Sequence, residues 1–411
     1  MTLSKNDRIR ETIKETRLRH SQMRCVVFEC KAVDNKLNCL QKEQVNQYFK
    51  EAKWLRNSII AGNHVSRKEL KVATVKVGDQ LEERELSILG SQVRQDIYAS
   101  VKSEIKGLST KKKKGDKVGA LKFKNVCNST PLRQYGTTYR IEGNRIKVQN
   151  IDKSIYVRGL RQIPEEAEIA NARMVRKPSG LYFHITCFLP KEEDFTDGSI
   201  GIDSGIQHNL TLSNGDTYDI SVPESKMIKL YSKRLNRSFK RNGNKHTENH
   251  KKRKSQLRKA YEKMTNIKQN QVNQIVHEIL GKYGFIAIQD EMISSWHKGL
   301  FGKQVQHSCM GSIKAKLKNN FKVHVVERSF PSTQLCPICG CLTKHPLKER
   351  EYNCKHCGYH HPSRDIKSAQ SILDKALEVS MERRAHSPVE LNSDSVPPIH
   401  IDGTLRVGAT I

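Results

Sequence analysis

Four cysteines carry the plainest chemistry in this chain. Cys336 and Cys339 form one C-x-x-C pair and Cys354 and Cys357 a second, each pair ending in a glycine, Gly340 or Gly358. Two such knuckles supply four thiolates to one tetrahedral Zn²⁺. The gap between them is slightly shorter than the ~15–20 residues usual for such sites. Paired disulfides are the competing assignment, and a cytosolic chain disfavours them. Directly downstream, Asp365 heads an apparent helix with Ile366, Ala369 and Ile372 on one face. A metal-bound knot placed just before an acidic helix start suits the positioning of a catalytic carboxylate.

Other acids stand at strand ends. Asp203 closes the strand in G-I-D-S-G, and Asp290 and Glu291 follow the strand FIAIQ. If these acids and Asp365 converge on one sheet edge, they attract hard Mg²⁺, which takes oxygen ligands and keeps waters for exchange with phosphate oxygens. Two such ions ~3.5–4 Å apart activate a water and stabilise the leaving oxygen of a phosphodiester. Period-two alternation puts only one of Asp290 and Glu291 on a given strand face, and the sequence leaves both open. Asp365 alone has a simpler reading as a helix cap.

The elements that must hold these residues follow from periodicity. Residues 199–203, 208–213 and 216–220 read as three short strands, with Asn214-Gly215 as a hairpin turn. Helices are expected at 224–241 and 246–280, a buried strand at 284–290, a helix at 308–319 and a strand at 321–327. Three antiparallel strands, then alternating helices and parallel strands, describe a ribonuclease H-like layout. Upstream, residues 5–18 read as a charged helix and 23–30 as a strand. Helices are expected at 41–62 and 91–107, then a basic flexible link at 111–119, then short strands to 190, the first at ALKFKN. DFTDGS, 194–199, reads as a linker.

Composition names the partner class. The 411 residues carry 73 Lys and Arg against 43 Asp and Glu, a formal charge of +30. Such a charge repels itself unless a polyanion screens it. No stretch has the ~20 apolar residues of a membrane span, and the charged N-terminus does not read as a secretory signal. A cytoplasmic location, in action at the nucleoid, and no membrane are expected.

At this point the chain resembles a family. GIDSG, the strand end IQDEM, the paired knuckles and SRDIKSAQSIL resemble the RuvC-type nuclease of the TnpB proteins, transposon-associated RNA-guided nucleases related to compact type V CRISPR effectors. SRDIKSAQSIL is similar to that family's R-D-I-N-A-A-x-N-I-L. The resemblance implies catalytic, magnesium-binding roles for Asp203, Glu291 and Asp365, with Asp290 as the alternative to Glu291. It implies two Mg²⁺, one structural Zn²⁺, a guide RNA, and target duplex DNA beside a short motif. The implied fold class is α+β and multidomain. An N-terminal helix and first wedge strand occupy 1–38, a helical recognition insert 39–110 and a wedge β-barrel 111–195. A RuvC-like nuclease occupies 196–335, with a basic helical hairpin at 224–280. A zinc ribbon follows at 336–358, the last nuclease segment at 359–378 and a flexible tail at 379–411.

Nucleic-acid contacts are expected where one sign of charge dominates. Residues 224–263 hold fifteen Lys or Arg against Glu224, Glu248 and Glu262. Arg234, Arg237, Lys251, Lys252, Arg253 and Lys254 are the expected contacts there. Lys111, Lys112, Lys113 and Lys114 form a second candidate, and Arg56 and Asn57 on the insert's helix a third. Tyr48, Trp54 and Trp296 read as core, and His297 as a residue near the cleft. An RNA-guided DNA-binding protein without cleavage, a transposase or integrase, and a zinc-ribbon adaptor are the competing functions.

Overall fold

A computed structural model describes residues 4–63, 70–191, 196–241, 243, 245–346, 348–385 and 406–407. The chain divides into two compact units, residues 1–191 with 406–411, and residues 192–405.

The first unit is built on strand β1 (Met23–Ala32), preceded by helix α1 (Lys5–Ser21). After β1 come helix α2 (Cys39–Ile60), strands β2 (Val72–Val77) and β3 (Gln80–Glu85), and helix α3 (Ser91–Lys113). Then follow β4 (Ser129–Leu132), β5 (Tyr139–Glu142), β6 (Arg145–Val148), β7 (Ile155–Arg158), β8 (Glu168–Lys177) and β9 (Gly180–Pro190). The sheet runs β4-β8-β9-β1-β7-β6-β5 and curls into a nearly closed, barrel-like form. Strand β1 pairs antiparallel with β9 from Met23↔Pro190 to Lys31↔Tyr182.

Four expectations change here. The insert is not purely helical, because β2 and β3 form a hairpin, Val72↔Glu85 to Val77↔Gln80. Its turn carries Gly78 at a positive φ of 62°, and the alternating V-A-T-V-K-V before it was the legible signal. ALKFKN forms no strand. Lys111–Lys113 are not a flexible link. They form the last turn of α3 and Lys114 is its C-cap, where cations meet the negative end of the helix dipole. Helix α2 starts two residues early because Asn38 and Gln41 form a reciprocal capping box.

The second unit opens with β10 (Ser199–Asp203), β11 (Leu210–Leu212) and β12 (Thr217–Tyr218). Helices α4 (Lys226–Arg241) and α5 (Glu248–Lys282) lead to β13 (Phe285–Gln289). Short helices α6 (Ile293–Trp296), α7 (Gly302–Ser308) and α8 (Met310–Leu317) precede β14 (Val323–Val326). Two-residue strands β15 (Tyr352–Asn353) and β16 (His360–His361) lie before the last helix, α9 (Arg364–Ala385). The sheet order is β12-β11-β10-β13-β14. The β10–β11 and β11–β12 pairs are antiparallel and β10–β13–β14 parallel, the expected succession.

Alternation sorts this sheet's faces. Ile200, Ile202, Ile286 and Ile288 pack with Val272, Val276 and Ile279 of α5 and Ile313 and Leu317 of α8. On the other face Ala287 packs with Ile372 and Ala376 of α9. Gly201 is required for that packing: a Cβ there would lie 2.0 Å from the carbonyl oxygen of Ala369. The helix expected at 308–319 is α8, which Cys309, at a φ of 58°, separates from α7. Helix α9 runs seven residues past the expected boundary at 378, so part of the expected tail is helix. The remainder of that tail, 386–405 and 408–411, lies outside the described residues, as do 194–195 of the expected linker. Among the described residues no helix is long and apolar enough to cross a membrane.

Candidate functional site

The cysteine knuckles fold as their glycines require. Gly340 and Gly358 take positive φ of 70° and 74°, and their N–H groups donate to the carbonyls of Cys336 and Cys354 at 3.0 Å. The Sγ atoms of Cys336 and Cys357 are 3.6 Å apart, as are those of Cys339 and Cys354. All four lie within 4.8 Å of one another. A tetrahedron with metal–sulfur bonds of about 2.3 Å has edges of about 3.8 Å, so the four sulfurs fit a zinc ion. A disulfide needs about 2.05 Å, and these cysteines are free. The N–H of Cys357 bonds the Cys354 sulfur and, with that of His356, outweighs desolvation to bring its thiol down to about 5. Tyr352 is fully buried against Cys336 and Cys354 and donates its hydroxyl to Gln334 O at 3.1 Å.

The acids gather at the C-terminal ends of β10 and β13 and the start of α9. Asp203 is 7% exposed and shares with Gly201 the strand face that meets α9. Burial raises its carboxyl first, the negative charges of Glu291 and Asp365 raise it further, and it stands at about 8. Opposing this, Ser368 Oγ donates to Asp203 Oδ1 at 3.2 Å and Lys314 lends positive charge. Asp365 is not the cap of α9. Ser363 takes that role, its Oγ accepting from Ile366 N at 3.3 Å and its carbonyl from Lys367 N at 3.1 Å. The Asp365 carboxylate is left to face Arg350, 3.6 Å away.

Two lysines one turn apart on and just after α8 sort the consecutive acids. Lys314, 4% exposed, bonds Glu291. Lys318 bonds Asp290, whose other oxygen accepts from Arg328 Nη2 at 2.8 Å. Those two cations hold Asp290 below the usual carboxylate range, with Lys318 the larger influence. Glu291 is therefore the neighbour that presses on Asp203, and Asp290 is occupied elsewhere. The signal lay in parity: Ile286 and Ile288 face the α5 side, so odd positions share the Asp203 side.

The oxygen donors, and a buried Asp203 short of positive charge, suit a divalent cation. Among the described residues, however, the four cysteines alone form a set of three or more metal-ligating groups with all ligand atoms within 4.8 Å.

The expected nucleic-acid contacts divide. Arg234, Arg237, Lys251, Lys252 and Lys254 are exposed on α4 and α5, and Arg253 is half-buried. Lys251 pairs with Glu248 at 2.6 Å. Lys111–Lys114 are exposed at the end of α3. Arg56 and Asn57 are engaged within the first unit. Arg56 is 8% exposed and forks onto Glu104 with bonds of 2.9 and 2.7 Å. Asn57 exchanges two 2.9 Å bonds with the backbone of Lys124. Tyr48 is fully buried, Trp54 is partly buried against the same core, and Trp296 packs beside Ile293, Val305 and Met310. His297 follows α6 as its C-cap.

The chain is similar to known proteins over the stretches that hold these residues. A family profile described as "Probable transposase" matches residues 189–293, the stretch holding Asp203, Asp290 and Glu291. One described as "Cas12f1-like, TNB domain" matches residues 310–372, which hold Lys314, the four knuckle cysteines and Asp365. A protein of Streptomyces pristinaespiralis named "Putative RNA-guided DNA endonuclease" is 25% identical over 236 residues, 54% of this chain. The chain covers 57% of that relative's length. The resemblance to the TnpB family drawn from the motifs stands with these matches.

Proposed function

We propose that this chain is an RNA-guided, Mg²⁺-dependent DNA endonuclease whose second unit is a RuvC-type, ribonuclease H-like domain. The observation that carries the reading is the gathering of Asp203, Glu291 and Asp365 from separate elements around a buried carboxyl raised to about 8. A buried carboxyl raised by neighbouring acids marks functional sites more than structural ones. Asp203, Glu291 and Asp365 would hold the magnesium. Bound in a two-ion arrangement, it supplies the activated water and the charge stabilisation of the leaving oxygen. Ser368 holds Asp203 by a hydrogen bond, Lys314 holds Glu291, and Ser363 caps the helix so that Asp365 need not. The four-cysteine cluster takes one structural Zn²⁺ and braces the start of α9.

The partners in this reading are a guide RNA and a target DNA duplex with a short adjacent motif. The stretch 224–263, which forms most of the hairpin α4–α5, is the surface for them, since Glu224, Glu248 and Glu262 are the only acids among its fifteen cations. A duplex of guide and target is read by backbone geometry rather than sequence, which suits an array of cations. The "Probable transposase" profile favours a second reading, strand transfer by the same acids.

The test is to express the gene with its native flanks, purify the chain and sequence the RNA bound to it. The loaded protein is then given a matched duplex with Mg²⁺ or with EDTA. Mg²⁺-dependent cutting without joining of ends is expected. A protein that carries no RNA and cuts nothing refutes the reading, and joined products favour the second.

A further inference from the structure

Between the four-cysteine cluster and Asp203 runs a chain of buried polar side chains. Lys367 is 1% exposed. Its Nζ lies 4.1 Å from the centroid of Tyr352, the ring packed on Cys336 and Cys354. The same ammonium donates to Ser332 O at 3.0 Å. Ser332 Oγ lies 3.0 Å from Ser368 Oγ and donates to Gln289 Oε1 at 3.0 Å. Gln289 in turn donates its amide to Phe330 O at 2.6 Å, which fixes the turn after β14. Ser368 completes the run with its bond to Asp203. Its one hydroxyl proton faces two acceptors, Ser332 Oγ and the Asp203 carboxylate.

The charges suit this arrangement. Four thiolates around a dication leave two negative charges, and a buried ammonium beside them offsets part of that. An unpaired buried ammonium would be costly, so Lys367 depends on the knot that Tyr352 belongs to. Lys367 and Ser368 also stand where the pattern R-D-I-N-A-A-x-N-I-L has Asn and Ala. We propose that Lys367 and Ser368 are positioning residues that couple metal occupancy of the four-cysteine cluster to the placement of Asp203. This rests on the reading of the acids as a divalent site and of the knuckles as a zinc site.

The test uses the full-length chain and two readouts that need no cleavage: Mn²⁺ affinity by electron paramagnetic resonance, and zinc release to a chromogenic chelator. Residues that orient metal ligands typically change affinity 10–100-fold when replaced, so zinc stripping is expected to weaken Mn²⁺ binding by about tenfold. Ser368→Ala should weaken Mn²⁺ binding while leaving zinc release unchanged, and stripping zinc from that variant should cost less than it costs the parent. Lys367→Met should both speed zinc release and weaken Mn²⁺ binding, and Lys367→Arg should restore part of each. The proposal is overturned if Ser368→Ala keeps the parent's Mn²⁺ affinity and zinc dependence. It is also overturned if Lys367→Met lowers only the melting temperature. A parent that binds no Mn²⁺ sensitive to Asp203→Asn would instead refute the nuclease reading, and this coupling with it.

Discussion

Two carboxylates on strands of the two units meet opposite solutions. Glu29, on β1 of the barrel-like sheet, lies 2.6 Å from Lys177 Nζ and 3.1 Å from His184 Nε2. Burial pushes it up, but His184 and the Lys177 ammonium beside it outweigh that and hold it at about 2. Asp203, on β10, is pressed by Glu291 and Asp365 and stands at about 8. The first unit also buries Glu51 completely, yet gives it the N–H groups of Ser87, Ile88 and Leu89. Where an acid serves the fold, the chain supplies donors and cations. At Asp203 a hydroxyl donor and the charge of Lys314 do not offset burial and the two neighbouring acids, an environment that suits an external cation.

The contrast breaks most visibly in cleavage. Asp203→Asn, Glu291→Gln and Asp365→Asn should each lower cutting of a matched duplex by at least roughly a thousandfold, because several kcal/mol of charge stabilisation is lost. Guided binding should persist, since recognition rests on base pairing and basic surfaces. Asp290→Asn and Glu29→Gln should keep appreciable activity. If Asp290→Asn is as dead as Glu291→Gln, the sorting by Lys314 and Lys318 is misread.

A smaller effect belongs to the hairpin. Reversing Lys251, Lys252, Arg253 and Lys254 to Glu should weaken RNA binding about tenfold or more at moderate salt and flatten the slope of log affinity against log salt. An unchanged slope would remove this face from the interface. The same four changes should leave zinc content untouched.

The smallest effects concern stability, and their signs should differ. Glu29 has its folded value below the ordinary 4.5, so its contribution is present above pH ~4.5 and is lost as pH falls toward ~2. Glu29→Gln should therefore cost about 1–2 kcal/mol at pH 7, allowing for its partial solvent contact, and almost nothing near pH 2. Asp203→Asn should do the reverse at pH 8 in Mg²⁺-depleted buffer, raising the melting temperature by removing one of three crowded charges. Thermal melts of both variants settle it; a destabilised Asp203→Asn would mean that Ser368 and Lys314 already compensate that acid.

Much of the site was legible because its signals are local. The C-x-x-C spacing and terminal glycines dictate where four sulfurs can meet, whatever surrounds them. The alternation of Ile200 and Ile202, and of Ile286 and Ile288, dictates which strand faces are core. The hairpin of β2 and β3 carried a local signal too, in its alternation and Gly78, but the flanking helical periodicity masked it. Other features rest on partners distant in the chain. Arg56 and Asn57 look exposed and basic-polar in sequence, yet Glu104 and the backbone of Lys124, 48 and 67 residues away, occupy them. The sorting of Asp290 from Glu291 needs Lys314, Lys318 and Arg328, which only the packing of α8 and the end of β14 bring near.

The sequence by itself determined the residue types, the metal chemistry they suit, and the order of strands and helices that carries them. Those depend on side-chain identity and on periods of two and 3.6, which are properties of neighbouring residues. The tertiary structure alone decided how the acids are charged and held. Burial of Asp203, the approach of Glu291 and Asp365, and the run from Tyr352 through Lys367, Ser332 and Ser368 all join residues distant in the chain. Desolvation and like-charge repulsion act through space, so no spacing along the chain encodes them.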